Sequence, residues 1–450
     1  MEGSFMKRGR QCDVSVTKTH LKCTLKNNLG PNVQLEISLS DVLAVQTQSR
    51  DNTNVSSVVV HYAGKKKDKV LTWEKLVLAG QPELCKELNN IFSYAFSERQ
   101  RPKHYLVLIN PRSGSKTANR LFHKKVAPLF RACGITFKVY VTTGPNDARN
   151  AFQDVDFSTL DGVISVGGDG FYSEVVTALV LRQQQITGVN PDDPDATLSP
   201  LSIPVGVIPG GSGNYVVNYL HGTTDPVTSA IKIVLGKTCP TNIVGIHQGK
   251  KLEGYAGLIA GFGLFGDMMY TCEKYRWMGN VRYKVLPVKC ILSRRLIEAE
   301  VEYQTTAGDW RSSRGSFYSI ETGIVDLADS SAKLVPVFGD SALTLHLVRE
   351  CPLGDHIKQL SKVAEWASGA YDYNFVQSER VLRYKVSLSS HPTVQPEGGD
   401  EQLVENMYMN CDGEALKIHR ANFQVRLHTG IVQLFGTTHT GELGDVSSTV

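Results

Sequence analysis

Apolar positions recur along the chain with two periods, and the changes of period mark the predicted elements. Alternating segments at Cys12 to Leu25, Val33 to Val45, Val55 to Tyr62 and Val70 to Leu78 are separated by Asn-Asn-Leu-Gly, Asp-Asn-Thr-Asn and Gly-Lys-Lys-Lys. This is the pattern of antiparallel strands. Pro82 to Phe96 then puts Leu84, Leu88, Ile91 and Phe92 on one helical face. Ser97 to Lys103 is polar and reads as a linker. Three strand, turn and helix units follow. Tyr105 to Ile109 leads into Asn110-Pro111-Arg112-Ser113-Gly114-Ser115-Lys116-Thr117 and a helix from Ala118 to Phe130. Val163, Ile164 and Val166 lead into Gly167-Gly168-Asp169-Gly170 and a helix from Phe171 to Leu181. Pro204 to Ile208 leads into Pro209-Gly210-Gly211-Ser212-Gly213-Asn214 and a helix from Tyr215 to Leu220. A further strand, Thr136 to Thr142, and a helix around Asp147 to Phe152 lie between the first two units.

In open α/β sheets such turns gather at the carboxyl ends of the strands, where ligands bind. Thr187 to Pro200, rich in Asp and Pro, reads as a surface loop. After about Thr241 alternation returns in Ile297 to Gln304, Ser316 to Glu321, Leu343 to Val348, Val381 to Leu388 and Phe423 to Leu427. These predict a mainly antiparallel β region, interrupted by helical spacing at Met268 to Met278 and Gly354 to Trp366. The small, polar tail beyond Thr437 is expected to be disordered.

At 450 residues the chain is long enough for two or three domains. Its net charge of +4 is compatible with an anionic ligand or membrane surface and gives no argument for nucleic acid. Nine cysteines are scattered without a C-x-x-C pair, which predicts reduced thiols rather than a disulfide framework or a zinc site. No uninterrupted apolar run is long enough for a membrane span, so membrane contact is expected to be peripheral.

The second glycine turn carries the chemistry. Three glycines in four residues let the backbone approach a ligand closely, and the helix that follows offers unpaired N–H groups to phosphate. Asp169 puts a negative charge into this anion-favouring turn, which points to a catalytic role. The third glycine of a dinucleotide fingerprint is replaced by Ser173, the first turn lacks the Gly-Lys order of a P-loop, and the H-R-D and D-F-G motifs of protein kinases are missing.

Taken together, Asn110-Pro111 with Gly114, GGDG with Glu174, PGGSGN, and Cys411-Asp412-Gly413-Glu414 resemble the lipid-kinase superfamily of diacylglycerol and sphingosine kinases. Within it, Gly261 to Tyr283, Lys125 to Phe130 and Asn410 to Leu416 look most like ceramide kinases. The resemblance implies an α/β nucleotide-binding domain (98–242) and a mainly antiparallel, lipid-binding β-sandwich domain (243–436). Before them it implies a pleckstrin-homology-like β domain (1–97), whose Lys65-Lys66-Lys67 loop would either meet phosphoinositide headgroups or form a solvated charged turn.

The same resemblance implies an ATP- and Mg²⁺-dependent kinase acting on the primary hydroxyl of ceramide, cytoplasmic and peripherally bound to Golgi or plasma membrane. Asp169 is the implied base. Asn110, Pro111, Arg112, Thr142, Gly167, Gly168, Gly170, Glu174, Gly211, Ser212, Gly213, Asn214, Arg276, Arg282, Asp412, Gly413 and Glu414 are the implied nucleotide positions. Gly168, Asp169 and Asp267 are the implied lipid positions, and no residue is assigned as a direct metal ligand. Gly279, between Arg276 and Arg282, predicts a break that re-aims Arg282.

Two departures from the ceramide-kinase pattern bear on the acceptor. Gly213-Asn214 stands where ceramide kinases tend to have Thr-Asp, as in sphingosine kinases, and no cysteine occurs between Gly315 and Val348. A sphingoid-base or diacylglycerol kinase therefore stays open; a silent lipid-binding relative is a third reading, against which the intact GGDG and Asp412-Gly413-Glu414 motifs argue. A calmodulin-binding helix near Ile357 to Trp366 is the remaining partner reading, against core packing of the same segment.

Overall fold

The computed structural model describes residues 1–26, 33–49, 56–67, 69–97, 101–330, 333–389 and 403–437. The tail expected to be disordered lies, but for residue 437, outside the described residues. Seven antiparallel strands form the N-terminal sheet, in the order Val33–Ser38, His20–Leu25, Arg10–Val16, Glu2–Lys7, Leu71–Gly80, Ser56–Lys65, Val42–Ser49. Two predicted segments are each split into a pair of strands. At Thr17 the side-chain oxygen accepts from the N–H groups of Thr19 and His20, closing a turn. A 3-10 turn at Leu39–Asp41 makes the second break. Helix Pro82–Ser97 buries Leu88 and Phe92 against Phe5, Val58 and Leu78. Lys65, Lys66 and Lys67 are exposed at the connection between two strands, as expected. The expectation of nine free thiols is corrected at one pair: Cys12 and Cys23, on neighbouring strands, are joined by a disulfide with Cα atoms 6.2 Å apart. Alternation along the chain could not reveal a pairing set by strand register.

The three strand, turn and helix units form as predicted. Four parallel strands run Thr136–Val141, His104–Ile109, Gly162–Gly167, Val205–Pro209 across the sheet. The inner three are nearly continuous, buried apolar runs because helices cover both faces, whereas the edge strand Thr136–Val141 alternates, with Thr136, Lys138 and Val141 exposed. The helix after the first turn runs from Ala118 to Ala132 and contains a π turn at Phe122–Val126.

This parallel part does not end in a separate layer. Strand Asn422–Phe435 pairs parallel with Val205–Pro209 at Val205↔Leu434. Along its length it also pairs antiparallel with Thr238–Gln248 and with Val376–Leu388. One 14-stranded sheet therefore joins the parallel half to the antiparallel half. The position 242/243 falls inside strand Thr238–Gln248.

The polar 187–200 stretch, a surface loop as predicted, is pinned to the antiparallel half. Arg426 Nη1 donates to Pro194 O (3.0 Å) and Ala196 O (3.1 Å), and Leu252 N–H donates to Asp192 Oδ1 (2.9 Å). The N-terminal module docks on the parallel half, where Gln46 Nε2 donates to Ala132 O (2.9 Å) and Leu71 N–H to Thr228 Oγ1 (2.9 Å). Helix Arg282–Leu292 escaped the sequence reading because Pro287 lies inside it and much of its apolar surface faces outward. No helix among the described residues is long and apolar enough to cross a membrane.

Candidate active site

Parallel register brings the three glycine turns together. Val166 lies opposite Ile109, and Gly167 opposite Pro209, so all three turns leave the same edge of the sheet. They pack backbone against backbone. Gly210 N–H donates to Gly167 O (2.7 Å) and Asn110 N–H to Val166 O (3.1 Å). A Cβ on Gly211 would collide with the Cα of Gly168, and one on Gly114 (φ +50°) would lie 2.8 Å from Gly210 O. Glycine is required here by the approach of one turn to the next, in addition to any approach of a ligand.

Asp169 is the first residue of helix Asp169–Thr187 and is half-buried. Its Oδ1 accepts from Val216 N–H (3.0 Å), in the first turn of helix Tyr215–His221. Its Oδ2 stands over Gly213, where a Cβ would come within 2.9 Å. The carboxylate is thus oriented by one turn and mounted on another. Asn214 supplies the rigidity: at φ +59°, its Oδ1 accepts from Gly211 N–H and its Nδ2 donates to Gly211 O, both at 2.9 Å. Asparagine tolerates this left-handed conformation and satisfies both backbone polar groups of one residue, a role aspartate could fill only half.

The late acidic motif reaches the same place. Asp412, almost fully buried, accepts from the N–H groups of Gly257 (2.7 Å), Leu258 (2.8 Å) and Ile259 (3.0 Å). Ser173, on the Asp169 helix, also hydrogen-bonds it. Burial pushes the Asp412 carboxyl up while these donors pull it down. Asp412 thus ties the returning hairpin to helix Asp169–Thr187. Gly413 (φ +91°) turns the chain, and Glu414 comes to lie over Gly170, where a Cβ would be 2.8 Å from its Oε1. The Glu414 carboxyl is pushed up to about 7, first by loss of water and then by the neighbouring Glu273 and Glu174, with Arg276 opposing. The residue as a whole stays exposed, so water screens part of this crowding.

Other expected nucleotide positions fall around these turns with their side chains already engaged. Asn110 Oδ1 accepts from Arg112 N–H (2.9 Å), leaving the Arg112 side chain exposed beside Pro111. Thr142 is buried, with its hydroxyl 3.3 Å from Ile109 O. Glu174 accepts from Ala148 N–H (3.0 Å), and burial pushes its carboxyl up. Ser212 is exposed at the tip of its turn. Gly279 breaks the helix at φ +57°, ψ −141°, as predicted. Arg282 then turns back, donating to Arg276 O (3.3 Å) and the Tyr283 hydroxyl (2.7 Å).

Asp267 stands apart. It shares helix Leu264–Lys274 with Glu273, six residues and about 9 Å along the axis. Arg295 grips it through Nε (2.9 Å) and Nη2 (2.7 Å), and Nη2 also donates to Asn406 O (2.7 Å). Sequence reasoning missed Arg295 and Glu273, whose Oε1 accepts from Ala415 N–H (2.9 Å). The adjacent Arg294-Arg295 pair at the start of an apolar strand was the available signal for the first.

The Diacylglycerol kinase catalytic domain family model matches residues 104–246. A human ceramide kinase is 30% identical over 398 residues, covering 74% of each chain. Sphingosine kinase 1 of Arabidopsis thaliana is 26% identical over 365 residues, covering 72% of this chain and 70% of the relative. A candidate diacylglycerol kinase from Bacillus anthracis str. Sterne, solved by crystallography, superposes with a TM-score of 0.51 at 17% identity, over 75% of this chain and 98% of the other. The stacked glycine turns thus sit within the segment that matches the family model, and the chain belongs to the ceramide kinase family of lipid kinases.

Proposed function

We propose that the chain transfers the γ-phosphate of ATP to the primary hydroxyl of ceramide, giving ceramide 1-phosphate and ADP. The observation that carries this reading is the convergence of three glycine turns on Asp169 in a chain of this family. Two helix N-termini meet there, and the turns between them present backbone rather than side chains, which suits the phosphates of a nucleotide. Arg112 and Arg276, both exposed, are placed to offset the charge of those phosphates. Among the described residues no group of three or more His, Cys, Asp or Glu side chains forms a ready metal cage. Mg²⁺ would arrive on the phosphates, where Asp169 and Glu414 are the carboxylates that would face it, and would supply charge neutralisation at the β and γ oxygens.

Asp169 accepts the proton of the lipid hydroxyl. Its fixed orientation matters more than strong basicity, because proton loss can come late in a loose phosphoryl transfer. Residues 98–242 hold the nucleotide and residues 243–436 the lipid, with Asp267 near the polar head. Residues 1–97 act as a pleckstrin-homology-like module, with Lys65-Lys66-Lys67 on phosphoinositide headgroups at a cytoplasmic Golgi or plasma-membrane surface. Calmodulin binding by helix Leu353–Glu365 has little support, because that helix buries His356 and Gln359.

The test is transfer of labelled phosphate from ATP with Mg²⁺ to ceramide, sphingosine and diacylglycerol in the same detergent micelles. Ceramide is expected to be labelled preferentially, and Asp169→Asn to keep the fold while losing roughly 10²- to 10⁴-fold in turnover. Preference for sphingosine or diacylglycerol would favour the second reading, which rests on Gly213-Asn214. No labelling of any lipid would leave a silent scaffold.

A further inference from the structure

Helix Arg282–Leu292 packs inward through Leu286 and Cys290, the latter with its Sγ 3.6 Å from Thr271 Oγ1. Its outward face is also apolar. Val281, Val285, Val288 and Leu292 recur at intervals of four, three and four, so at about 100° per residue they form one narrow stripe. All four are exposed, Leu292 at 64%. Trp277, in the turn that leads to the helix, is 80% exposed. A folded chain rarely leaves so many large apolar groups together in water without a use for them.

Charge gives the patch its identity. Lys284 and Lys289, both exposed, flank the stripe on opposite sides. From Lys274 to Ile297 the sequence contains Lys274, Arg276, Arg282, Lys284, Lys289, Arg294 and Arg295 and not one Asp or Glu. An apolar stripe bordered by lysines, in a segment without acids, matches the boundary between lipid headgroups and acyl chains. A protein partner would more often meet a patch of mixed charge and larger aromatic content.

We propose that Arg276 to Leu292 is a second membrane-docking surface, carried by the catalytic core itself, for an anionic bilayer. Trp277 and the stripe enter the interface, while the lysines meet acidic headgroups. The site lies where an acceptor would leave the bilayer. Arg276, at one end of the segment, is close enough to Glu414 to offset its charge, and Glu414 stands over Gly170, next to Asp169. The N-terminal module would then set which membrane is visited, and this face would set how the cleft sits on it.

The experiment uses the full chain in sedimentation with phosphatidylcholine vesicles, with and without phosphatidylserine, and a water-soluble short-chain ceramide to read basal turnover. A Lys65→Ala, Lys66→Ala, Lys67→Ala background prevents the N-terminal loop from masking the result. Val285→Asp with Val288→Asp is expected to lower partition onto phosphatidylserine vesicles about tenfold or more, with turnover of the soluble acceptor unchanged. Should that pair unfold the helix, Lys284→Gln with Lys289→Gln decides: a severalfold loss of the phosphatidylserine dependence supports the proposal. Unchanged partition of these variants overturns it, as does loss of self-association with vesicle binding intact. Turnover of the soluble acceptor reports separately on the proposed kinase reaction.

Discussion

Glu321 is a carboxyl with no part in the proposed chemistry and a measurable part in stability. It is 2% exposed, its Oε1 accepts from Ser319 Oγ (2.6 Å), and its Oε2 has no partner among the described residues. Tyr371 also hydrogen-bonds it and stacks on His346, which is itself paired across the strands with Glu321. Burial pushes the Glu321 carboxyl from 4.5 up to about 7, against these donors. A carboxyl raised in the fold binds more protons there than in the unfolded chain. The stability it contributes is fully present below about pH 4.5 and is lost as pH rises through about 7, by about 3 kcal/mol at most. Glu321→Gln should remove that slope, so urea midpoints of variant and parent diverge between acid and neutral pH at equal m-value. Parallel curves would show that the carboxyl is not raised. Nothing in the alternation of Ser316 to Glu321 marked this residue, because period-two reading assigns a face and cannot tell a solvated face from one covered by Tyr371. Asp169 was legible because its charge contradicts the glycine turn that holds it.

At the scale of elements, the glycines divide into two kinds. Those of the three turns were readable from local composition, since runs such as GGDG and PGGSGN have few other uses. Gly266 was not. It lies inside helix Leu264–Lys274, where a Cβ would run into the backbone carbonyl of Tyr408 on strand Leu403–Cys411. The strand cannot recede, because it pairs on both sides, with Ile259–Gly263 and with Glu414–Arg420. Gly266→Ala should therefore displace the helix that carries Asp267 and Glu273. The expected loss is about 1–3 kcal/mol in denaturant unfolding, with reduced turnover, although alanine is the better helix former by about 1 kcal/mol. An unchanged or higher midpoint would mean that the helix stands further from the strand. The same contrast explains helix Arg282–Leu292: its interior proline and outward apolar stripe obey neither the amphipathic nor the buried pattern, so periodicity alone could not find it.

At the scale of the molecule, strand Asn422–Phe435 decides what can fold alone. Its antiparallel pairing with Thr238–Gln248 runs from Thr238↔Phe435 to His247↔Gln424, and its end pairs with Val205 in the parallel half. There Phe435 is buried, edge-on to Tyr105 at 5.8 Å and filling the space above Gly162. The segment that matches the diacylglycerol kinase model, residues 104–246, ends without this strand. A fragment of residues 98–246 would expose the flank of Val205–Pro209 as an open apolar edge and leave a cavity where Phe435 belongs. It is expected to aggregate or to unfold without a cooperative transition, whereas the full chain unfolds with the two halves of the large sheet together. Adding residues 422–437 through a flexible linker should restore solubility in part, and Phe435→Ala in the full chain should lower stability by about 3–5 kcal/mol. A sharp, reversible thermal transition in the isolated 98–246 fragment would sink this reading. The sequence could not disclose it, since the strand alternates like its antiparallel neighbours and its parallel contact depends on a partner more than two hundred residues earlier.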